Sequence, residues 1–375
     1  MTEGDAGGRP VPQGPVQRRL LRLLEEGFPG LGFSTSIATR STLGSCTVIL
    51  RPVAGEADLE EIAAWLGEQK SVERVSPKKA HLHVRVGTDA LRAWFCEGWE
   101  EALAAPGPQL PPVIVTVPRE GSPCSLDLSR KAVVARSVAA LLERQGHVVE
   151  MATSADEHVW LCAGSASNGT DASRIDVAEV DVRRDKLRAR HGGIVTREDL
   201  RADIREDAFA REGRERSDQF ADALISYLMT QAPRERRLDI GDQKVGQKLA
   251  ELDEILIARV VAREKIEAEG GGAPEVSAEG DTIARDLIEQ VEAAPDIIAR
   301  AARSLDPAPV NRLLRSLGTQ MRAAADLPAG DPLWRPSVEA LETAMRLVAP
   351  DADQPSPEAA EGIRTLDLLH GKQTL

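Results

Sequence analysis

The most basic run in the sequence is a short stretch in which arginine and lysine recur at almost every second position. Its members are Arg183, Arg184, Lys186, Arg188 and Arg190. Cationic side chains at this density can neutralise a phosphate group, and an arginine fork can bind two phosphate oxygens at once. The same composition is typical of a solvated loop of mixed charge. Both interpretations, a phosphate-binding loop and a solvated loop, stay open at the level of the sequence.

A second set of cationic side chains lies in the last quarter of the chain and could contact the phosphates of a nucleic acid. It consists of Arg303, Arg312, Arg315 and Arg322. The alternative is that they are ordinary exposed helix residues, ion-paired to Asp or Glu four positions away. Residues 281–350 hold 8 basic and 10 acidic side chains. The sequence therefore does not guarantee a basic face in this region.

The residue types that bind metals are sparse. His81 and His83 lie two apart on one side of a predicted strand, and two histidines without further ligands indicate a strand surface rather than a metal site. The 4 cysteines are widely spaced and form no C-x-x-C pair, so the sequence predicts neither a zinc site nor a disulfide framework. We expect no metal and a cytoplasmic protein.

Overall charge restricts the classes of partner. The formal net charge is -13 and the sequence pI is about 5.1, whereas tight nonspecific binding to nucleic acid needs a basic surface. DNA is therefore not an expected partner, although a local basic patch for RNA is compatible with this charge. Aromatic residues make up only 3% of the chain, which leaves few rings for stacking on bases. No run of about 18 apolar residues occurs, so we expect no membrane association.

The first part of the chain reads as a small α/β domain over residues 15–104, after a Gly- and Pro-rich segment (1–14) that we predict to be disordered. Apolar spacing predicts three helices and two strands. The helices cover 16–26, 58–66 and a stretch that begins near Thr88; the strands cover 46–50 and 81–86. A Pro-rich linker, residues 104–112, then separates this domain from the next.

Residues 113–200 alternate strand, helix and strand. Strands are predicted at 113–117, 148–151 and 158–162, with a helix from about Ser129 to Gln145 that Gly146 ends. Short connections of this kind predict a minimal doubly wound parallel sheet. Residues 201–350 are almost wholly helical in pattern and predict a bundle, and residues 351–375 form an acidic tail. The predicted fold class is thus α/β plus all-α.

These three blocks, in this order, resemble the arginyl-tRNA synthetase family of class I across nearly the whole chain. The stretch from Ser71 to Phe95 resembles the end of the family's N-terminal domain, and Arg130 to Glu150 carries its first catalytic helix and the strand after it. Residues 283–325 resemble the helical anticodon-binding domain called DALR. The resemblance implies a domain that contacts the tRNA elbow, a class I catalytic fold and a domain that reads the anticodon.

The first ATP-binding signature of the class is degenerate here. Aligned on the helix that Gly146 ends, the HIGH-type motif falls on Ser125, Leu126, Asp127 and Leu128. Neither histidine is present, and Asp127 would place negative charge where a helix N-terminus should hold the triphosphate. The simpler interpretation, which we favour, makes Asp127 the N-cap of the helix. The resemblance therefore predicts no catalytic residue at this motif.

The second signature, KMSKS, corresponds to Lys186–Arg190, where Lys186, Arg188 and Arg190 form a vestigial phosphate loop. Residues 152–182, which precede it, are too few for the arginine pocket that the intact family builds there. The predicted protein is a truncated, catalytically inactive paralogue without a cofactor. A residual arginine–tRNA ligase, or a repurposed ATP-dependent ligase that binds ATP at this loop, is the alternative.

The resemblance also implies RNA binding, but the aromatic residues that the family uses for it are missing here. The family carries Tyr and Phe in its anticodon-binding helix, some of which pack the core and some of which meet the anticodon. The matching positions here hold Leu313, Arg315, Met321, Ala324 and Ala325. Stacking contributes about 1–3 kcal/mol per base, so its loss weakens recognition. Binding of tRNA and docking on a protein partner are both retained as hypotheses.

Overall fold

The computed structural model describes the chain in ten stretches: residues 13–38, 43–54, 57–104, 110–119, 124–155, 157–163, 172–183, 195–212, 216–268 and 278–350. The cationic loop at 184–190, the acidic tail and all but the end of segment 1–14 lie outside these stretches. Lys186, Arg188 and Arg190, which the sequence predicts as a vestigial phosphate loop, therefore lie outside the described residues.

The N-terminal domain is a four-stranded antiparallel sheet with its helices packed on one face. Its helices are α1 (Pro15–Gly27), α2 (Leu59–Gly67) and α3 (Thr88–Leu103), and its strands are β1 (Gly32–Ile37), β2 (Thr47–Ala54), β3 (Val72–Lys78) and β4 (His81–Val86). The strand order is β1-β2-β4-β3. Buried Val48, Leu82 and Val84 face the helices. Strands β1 and β3 were not predicted, because neither alternates apolar with polar residues over its whole length.

The second unit is smaller, and its sheet is the predicted parallel one only in part. It comprises β5 (Leu110–Pro118), α4 (Leu126–Arg144), β6 (His147–Ser154), β7 (Val159–Ala163) and β8 (Ala172–Ile175), with strand order β6-β5-β7-β8. Only β5 and β6 are parallel, whereas β7 runs antiparallel to β5. The predicted parallel arrangement is therefore confirmed for β5 and β6 and wrong for β7 and β8. The connection from Ser154 to Val159 is too short to carry the chain back for a parallel strand, which needs a dozen or more residues.

The C-terminal part is a helical bundle with a two-stranded addition. Its helices are α5 (Arg197–Glu212), α6 (Asp218–Met229), α7 (Asp242–Glu267), α8 (Ala278–Ser304), α9 (Ala308–Ala323) and α10 (Trp334–Val348). Strands β9 (Val180–Arg183) and β10 (Leu238–Gly241) pair in parallel. The expectation of an almost wholly helical pattern therefore misses β10, which is only four residues long.

The largest hydrophobic core runs from the N-terminal domain into the helical bundle. Its members include Leu20 of α1, Trp99 of α3 and Leu341 of α10, all almost completely buried. A smaller core lies between α4 and the second sheet, around Val115 and Val138. Among the described residues no helix is long and apolar enough to cross a membrane.

Candidate functional site

The start of α4 is the position where the sequence places a nucleotide-binding signature. The helix begins at Leu126 with Ser125 as its N-cap, and the Ser125 hydroxyl accepts a hydrogen bond from the Leu128 amide at 3.2 Å. The expected N-cap, Asp127, lies instead in the first turn, where its Oδ1 accepts a hydrogen bond from the Val180 amide at 2.5 Å. The prediction that Asp127 caps the helix is therefore wrong, because Ser125 already satisfies the cap.

Two helices begin side by side at this position. Thr196 pairs with Ser125 in an isolated β-bridge, and the Arg197 amide donates to the Cys124 carbonyl at 2.8 Å. The Cys124 amide donates to Glu198 Oε2 at 3.2 Å. The start of α5 therefore lies against the start of α4, and it brings a carboxylate with it.

The start of α5 is satisfied by its own capping box. The Thr196 hydroxyl donates to Asp199 Oδ2 at 2.7 Å, and the Asp199 amide donates back to that hydroxyl at 3.2 Å. Reciprocal bonds of this kind occupy the donors that a helix N-terminus would otherwise offer to an anion. Asp127 and Glu198 add negative charge where a triphosphate would need positive charge.

Described residues on either side of segment 184–194, namely Val180 and Thr196, are bonded to the start of α4. Arg183 ends β9, three residues after the Val180 amide that Asp127 binds, and the described chain resumes at Val195, next to Thr196.

A buried arginine holds the adjoining segments together. The Arg130 side chain, 0% exposed, donates from Nη1 to the carbonyl oxygens of Ala178 at 2.7 Å and Arg236 at 2.9 Å, and from Nη2 to that of Pro233 at 3.1 Å. Burial lowers the pKa of Arg130 to about 10, although Asp127 and Asp306 oppose this shift. The guanidinium remains charged at neutral pH. It joins α4 to the segments before β9 and β10.

The four predicted RNA-binding arginines are exposed, and three of them form one row. Arg312, Arg315 and Arg322 follow one another along α9 at spacings of three and seven residues, and Arg303 lies at the end of α8. Helix α9 contains no acidic residue. Ion pairing within α9, the alternative interpretation, therefore does not apply to Arg312 or Arg315; Arg322 has Asp326 four residues on, beyond the helix.

The positions at which the family carries aromatic residues are mostly interior. Leu313, Met321 and Ala324 are buried in the helical core, whereas Arg315 is exposed and Ala325 is half-buried. Aromatic residues at the three buried positions would pack the core rather than meet a base. The loss of base stacking on α9 is therefore smaller than the sequence comparison suggested.

The outer face of the N-terminal sheet carries a cationic surface that sequence reasoning did not identify. Register places Lys78 opposite His81, Ser76 opposite His83 and Arg74 opposite Arg85, and Arg51 lies on the neighbouring strand β2. We call the set Arg51, Arg74, Lys78, His81, His83 and Arg85 the basic sheet face. The opposite side chains of β4, namely Leu82, Val84 and Val86, are buried against the helices.

Local contacts show how the basic sheet face is charged. Arg85 is neutralised in part, because its Nε donates to Glu73 Oε2 at 3.0 Å. By contrast, Arg51, Arg74 and Lys78 make no ion pair with any described residue. The rings of His81 and His83 approach to 3.1 Å between their Nε2 atoms. Burial lowers the pKa of His83, and His81, Lys78 and Arg51 lower it further.

The sequence did contain the signal for this surface. Arg74, Ser76 and Lys78 alternate with Val75 and Pro77 on one strand, and His81, His83 and Arg85 alternate with apolar residues on the next strand. The two alternations become one surface only when the strands pair in the observed register. Within the described ranges, no group of three or more His, Cys, Asp or Glu side chains is placed to hold a metal ion.

Comparison with known proteins supports the fold. The structure is similar to arginyl-tRNA synthetase of Thermus thermophilus, with a TM-score of 0.51 and 12% identity over 89% of this chain and 98% of that chain. It is also similar to arginyl-tRNA synthetase of Plasmodium falciparum, with a TM-score of 0.51 and 7% identity over 90% of this chain and 99% of that one. At such identities the similarity is one of fold. No family model matches the sequence, and no curated protein does.

Proposed function

We propose that this chain, whose fold is that of the arginyl-tRNA synthetases, does not activate an amino acid and instead binds a structured RNA, of which tRNA is the class that fits best. The observation that carries the first half is the start of α4. There Asp127 and Glu198 supply carboxylates, Ser125 occupies a helix-start donor, and the nucleotide-binding histidines of the class are replaced by Ser125 and Leu128.

The charge at this position opposes phosphate binding. A helix N-terminus attracts an anion through its free N–H groups and its dipole. Here the capping hydroxyl of Ser125 accepts from Leu128, and the acidic side chain of Asp127 lies within the first turn. A triphosphate would have to displace the hydrogen bond between Ser125 and Leu128 and approach the carboxylate of Asp127. ATP is therefore not expected to bind at the start of α4.

Two exposed cationic surfaces support RNA binding. The basic sheet face presents Arg51, Arg74 and Lys78 without ion pairs to described residues, and α9 presents Arg312 and Arg315 on a helix without acidic residues. Exposed arginine and lysine bind phosphates through counterion release, which needs no aromatic side chain. A folded RNA that carries phosphates over a wide surface, such as a tRNA, suits two separated patches on an otherwise acidic protein.

Two assays test the proposal. Purified protein with arginine, ATP and total tRNA should form no arginyl-tRNA above the level without protein, and robust charging would contradict the proposal. Sequencing of RNA crosslinked to the protein should recover tRNA. If no RNA is recovered and one protein co-purifies in equal amount, the helical bundle is a protein-binding scaffold instead.

A repurposed ATP-dependent ligase is the second candidate function, and one observation favours it. Val180 and Thr196, which precede and follow segment 184–194 in the described chain, are both bonded to the start of α4, the place where a phosphate loop would have to act. Specific ATP binding that is lost when Lys186→Ala and Arg190→Ala are combined would support this candidate. The absence of nucleotide binding to the unmodified protein would exclude it.

A further inference from the structure

One face of α8 is bonded to the N-terminal domain through three polar side chains spaced four and three residues apart. Arg285 donates to the Val86 carbonyl oxygen at 3.1 Å, Glu289 accepts from the Cys46 amide at 2.6 Å, and Glu292 accepts from the Gln17 amide at 3.0 Å. Spacing of this kind places all three on one side of a helix. Helix α8 thus binds the start of β2, the end of β4 and the start of α1.

Glu292 is the most deeply buried of the three and takes the place of an N-cap. The N-cap of α1, Gly14, has no side chain with which to accept a hydrogen bond, and Oε1 of Glu292 binds the Gln17 amide in the first turn instead. The Glu292 side chain is 0% exposed. Its other oxygen, Oε2, is buried without a hydrogen-bond partner among the described residues. A charged carboxylate in this position is incompletely compensated.

The residue at position 14 is constrained by this contact. A Cβ built on Gly14 would lie 2.2 Å from the Glu292 carboxyl group, far inside van der Waals distance. Any larger residue at position 14 must therefore displace either the carboxyl or the start of α1. Glycine at this N-cap and glutamate at position 292 fit each other.

We propose that Glu292 is a pH-sensitive latch, in which the protonated carboxyl holds the start of α1 against α8 and the charged carboxylate weakens that contact. The latch operates whether or not the chain binds RNA.

The titration behaviour of Glu292 supports the proposal. Burial raises the pKa of Glu292 to about 7, although hydrogen bonds from the Gln17 and Val16 amides and the positive charge of Arg18 act in the opposite direction. Cys46, at the start of β2, and Glu289, one turn away on α8, are the other titratable groups at this contact. Burial raises the pKa of both, and the charges of Glu292 and Glu289 raise that of Cys46 further.

The direction of the pH effect follows from linkage. Because the pKa of Glu292 is higher in the closed contact than its ordinary value of 4.5, protons favour the closed contact. The stabilisation is complete below the ordinary pKa and is lost as pH rises through about 7. Between pH 5 and pH 8 the equilibrium constant for opening should rise on the order of 10²-fold.

Hydrogen exchange of the full chain tests the latch. The measured quantity is the protection factor of the peptide that covers residues 16–20, corrected for the intrinsic pH dependence of exchange. We expect this protection factor to fall on the order of 10²-fold from pH 5 to pH 8. Glu292→Gln, which cannot titrate, should make this protection independent of pH. The same pH dependence in Glu292→Gln, or none in the unmodified protein, would overturn the proposal.

A second variant keeps the test decisive if Glu292→Gln fails to fold. Gly14→Ala leaves the carboxyl intact but places a Cβ against it, so protection of residues 16–20 should be low at pH 5 as well as at pH 8. Unchanged protection in Gly14→Ala would also overturn the latch. Asp296→Asn, on the same helix but in a surface ion pair with Arg300, is the matched control and should keep the pH dependence of the unmodified protein.

Discussion

The carboxylate of Asp127, in the first turn of α4, accepts a hydrogen bond from the backbone amide of Val180, which begins β9. This contact turns an acidic residue at a helix start into a structural link. It fastens the strand that leads into the cationic loop to the helix at which a class I synthetase would bind ATP. An aspartate that holds the fold in this way cannot also make room for a triphosphate.

The Asp127 contact predicts a difference between two substitutions. Asp127→Asn keeps an oxygen acceptor for the Val180 amide but loses a negative charge at a helix start and near buried Arg130, so it should destabilise the protein by about 0.3–1 kcal/mol. Asp127→Ala leaves that amide without its partner and should destabilise the protein by about 1–2 kcal/mol. Urea unfolding of both variants measures the difference. Equal stability of the two would show that the contact contributes nothing.

Arg130 should be among the most sensitive positions in the chain. Arg130→Met removes the donor for the carbonyl oxygens of Ala178, Pro233 and Arg236. Because these acceptors would lose their partner inside the protein, we expect a loss of roughly 3–5 kcal/mol in urea unfolding. Arg312→Met, at an exposed position, is the control and should cost less than about 0.5 kcal/mol. Similar losses in both variants would refute the role of Arg130.

Local sequence patterns were sufficient to predict those helices and strands whose own residues carry both the apolar spacing and the residue that ends the element. The helix over residues 126–144 and its end at Gly146, which has φ 92°, follow from apolar spacing and a terminal glycine. The observed helix begins three residues before the predicted Ser129, because the Ser125 cap and buried Leu126 extend it. Strand direction was not predictable in the same way. The apolar residues of β7 are compatible with either a parallel or an antiparallel strand. Only the short connection from β6 to β7 distinguishes the two directions.

Contacts between distant parts of the chain account for what the sequence did not reveal. Glu292 and Gln17 are 275 residues apart, and Arg285 and Thr88 are 197 apart. No local pattern marks Glu292 as buried, since it lies in a helix among other charged residues. The basic sheet face was hidden for a related reason. Its side chains come from three strands, and their register is fixed by the inner apolar face rather than by the cationic residues themselves.

Acid should weaken the ion pairs that Glu342 of α10 makes with Arg259 and Arg263 of α7. Burial would raise the pKa of Glu342, but hydrogen bonds and the charges of Arg259 and Arg263 outweigh burial and lower it. A lowered pKa gives stability that is present above the ordinary value of 4.5 and is lost as pH falls through the folded-state pKa. Glu342→Gln should therefore cost about 1–3 kcal/mol at pH 7 and progressively less below pH 4. Urea unfolding of the unmodified protein and of Glu342→Gln, at pH 7 and at a pH below 4, measures this difference. An equal loss of stability at the two pH values would contradict the prediction.

Charge reversal on the basic sheet face tests RNA binding. The double substitution Arg51→Glu and Lys78→Glu should weaken tRNA binding at least tenfold at moderate salt. It should also reduce the slope of log affinity against log salt by about 2, because two phosphate contacts are lost. Fluorescence anisotropy with labelled tRNA at several salt concentrations gives both quantities.

The control for this experiment changes the same amount of charge in the same domain. Arg19 and Arg22 are exposed on α1, away from the sheet, so Arg19→Glu with Arg22→Glu should leave the salt slope unchanged. Equal weakening by both pairs would mean that overall charge, rather than the basic sheet face, governs RNA binding.

Arginine-dependent exchange between ATP and pyrophosphate, measured with and without tRNA, shows whether the chain activates an amino acid. We predict no exchange above the background without protein, because the start of α4 presents the carboxylates of Asp127 and Glu198 at the position that the proposal aligns with the class I ATP-binding signature. Arginine-dependent exchange that disappears when Lys186→Ala and Arg190→Ala are combined would contradict the account and identify the chain as an active ligase.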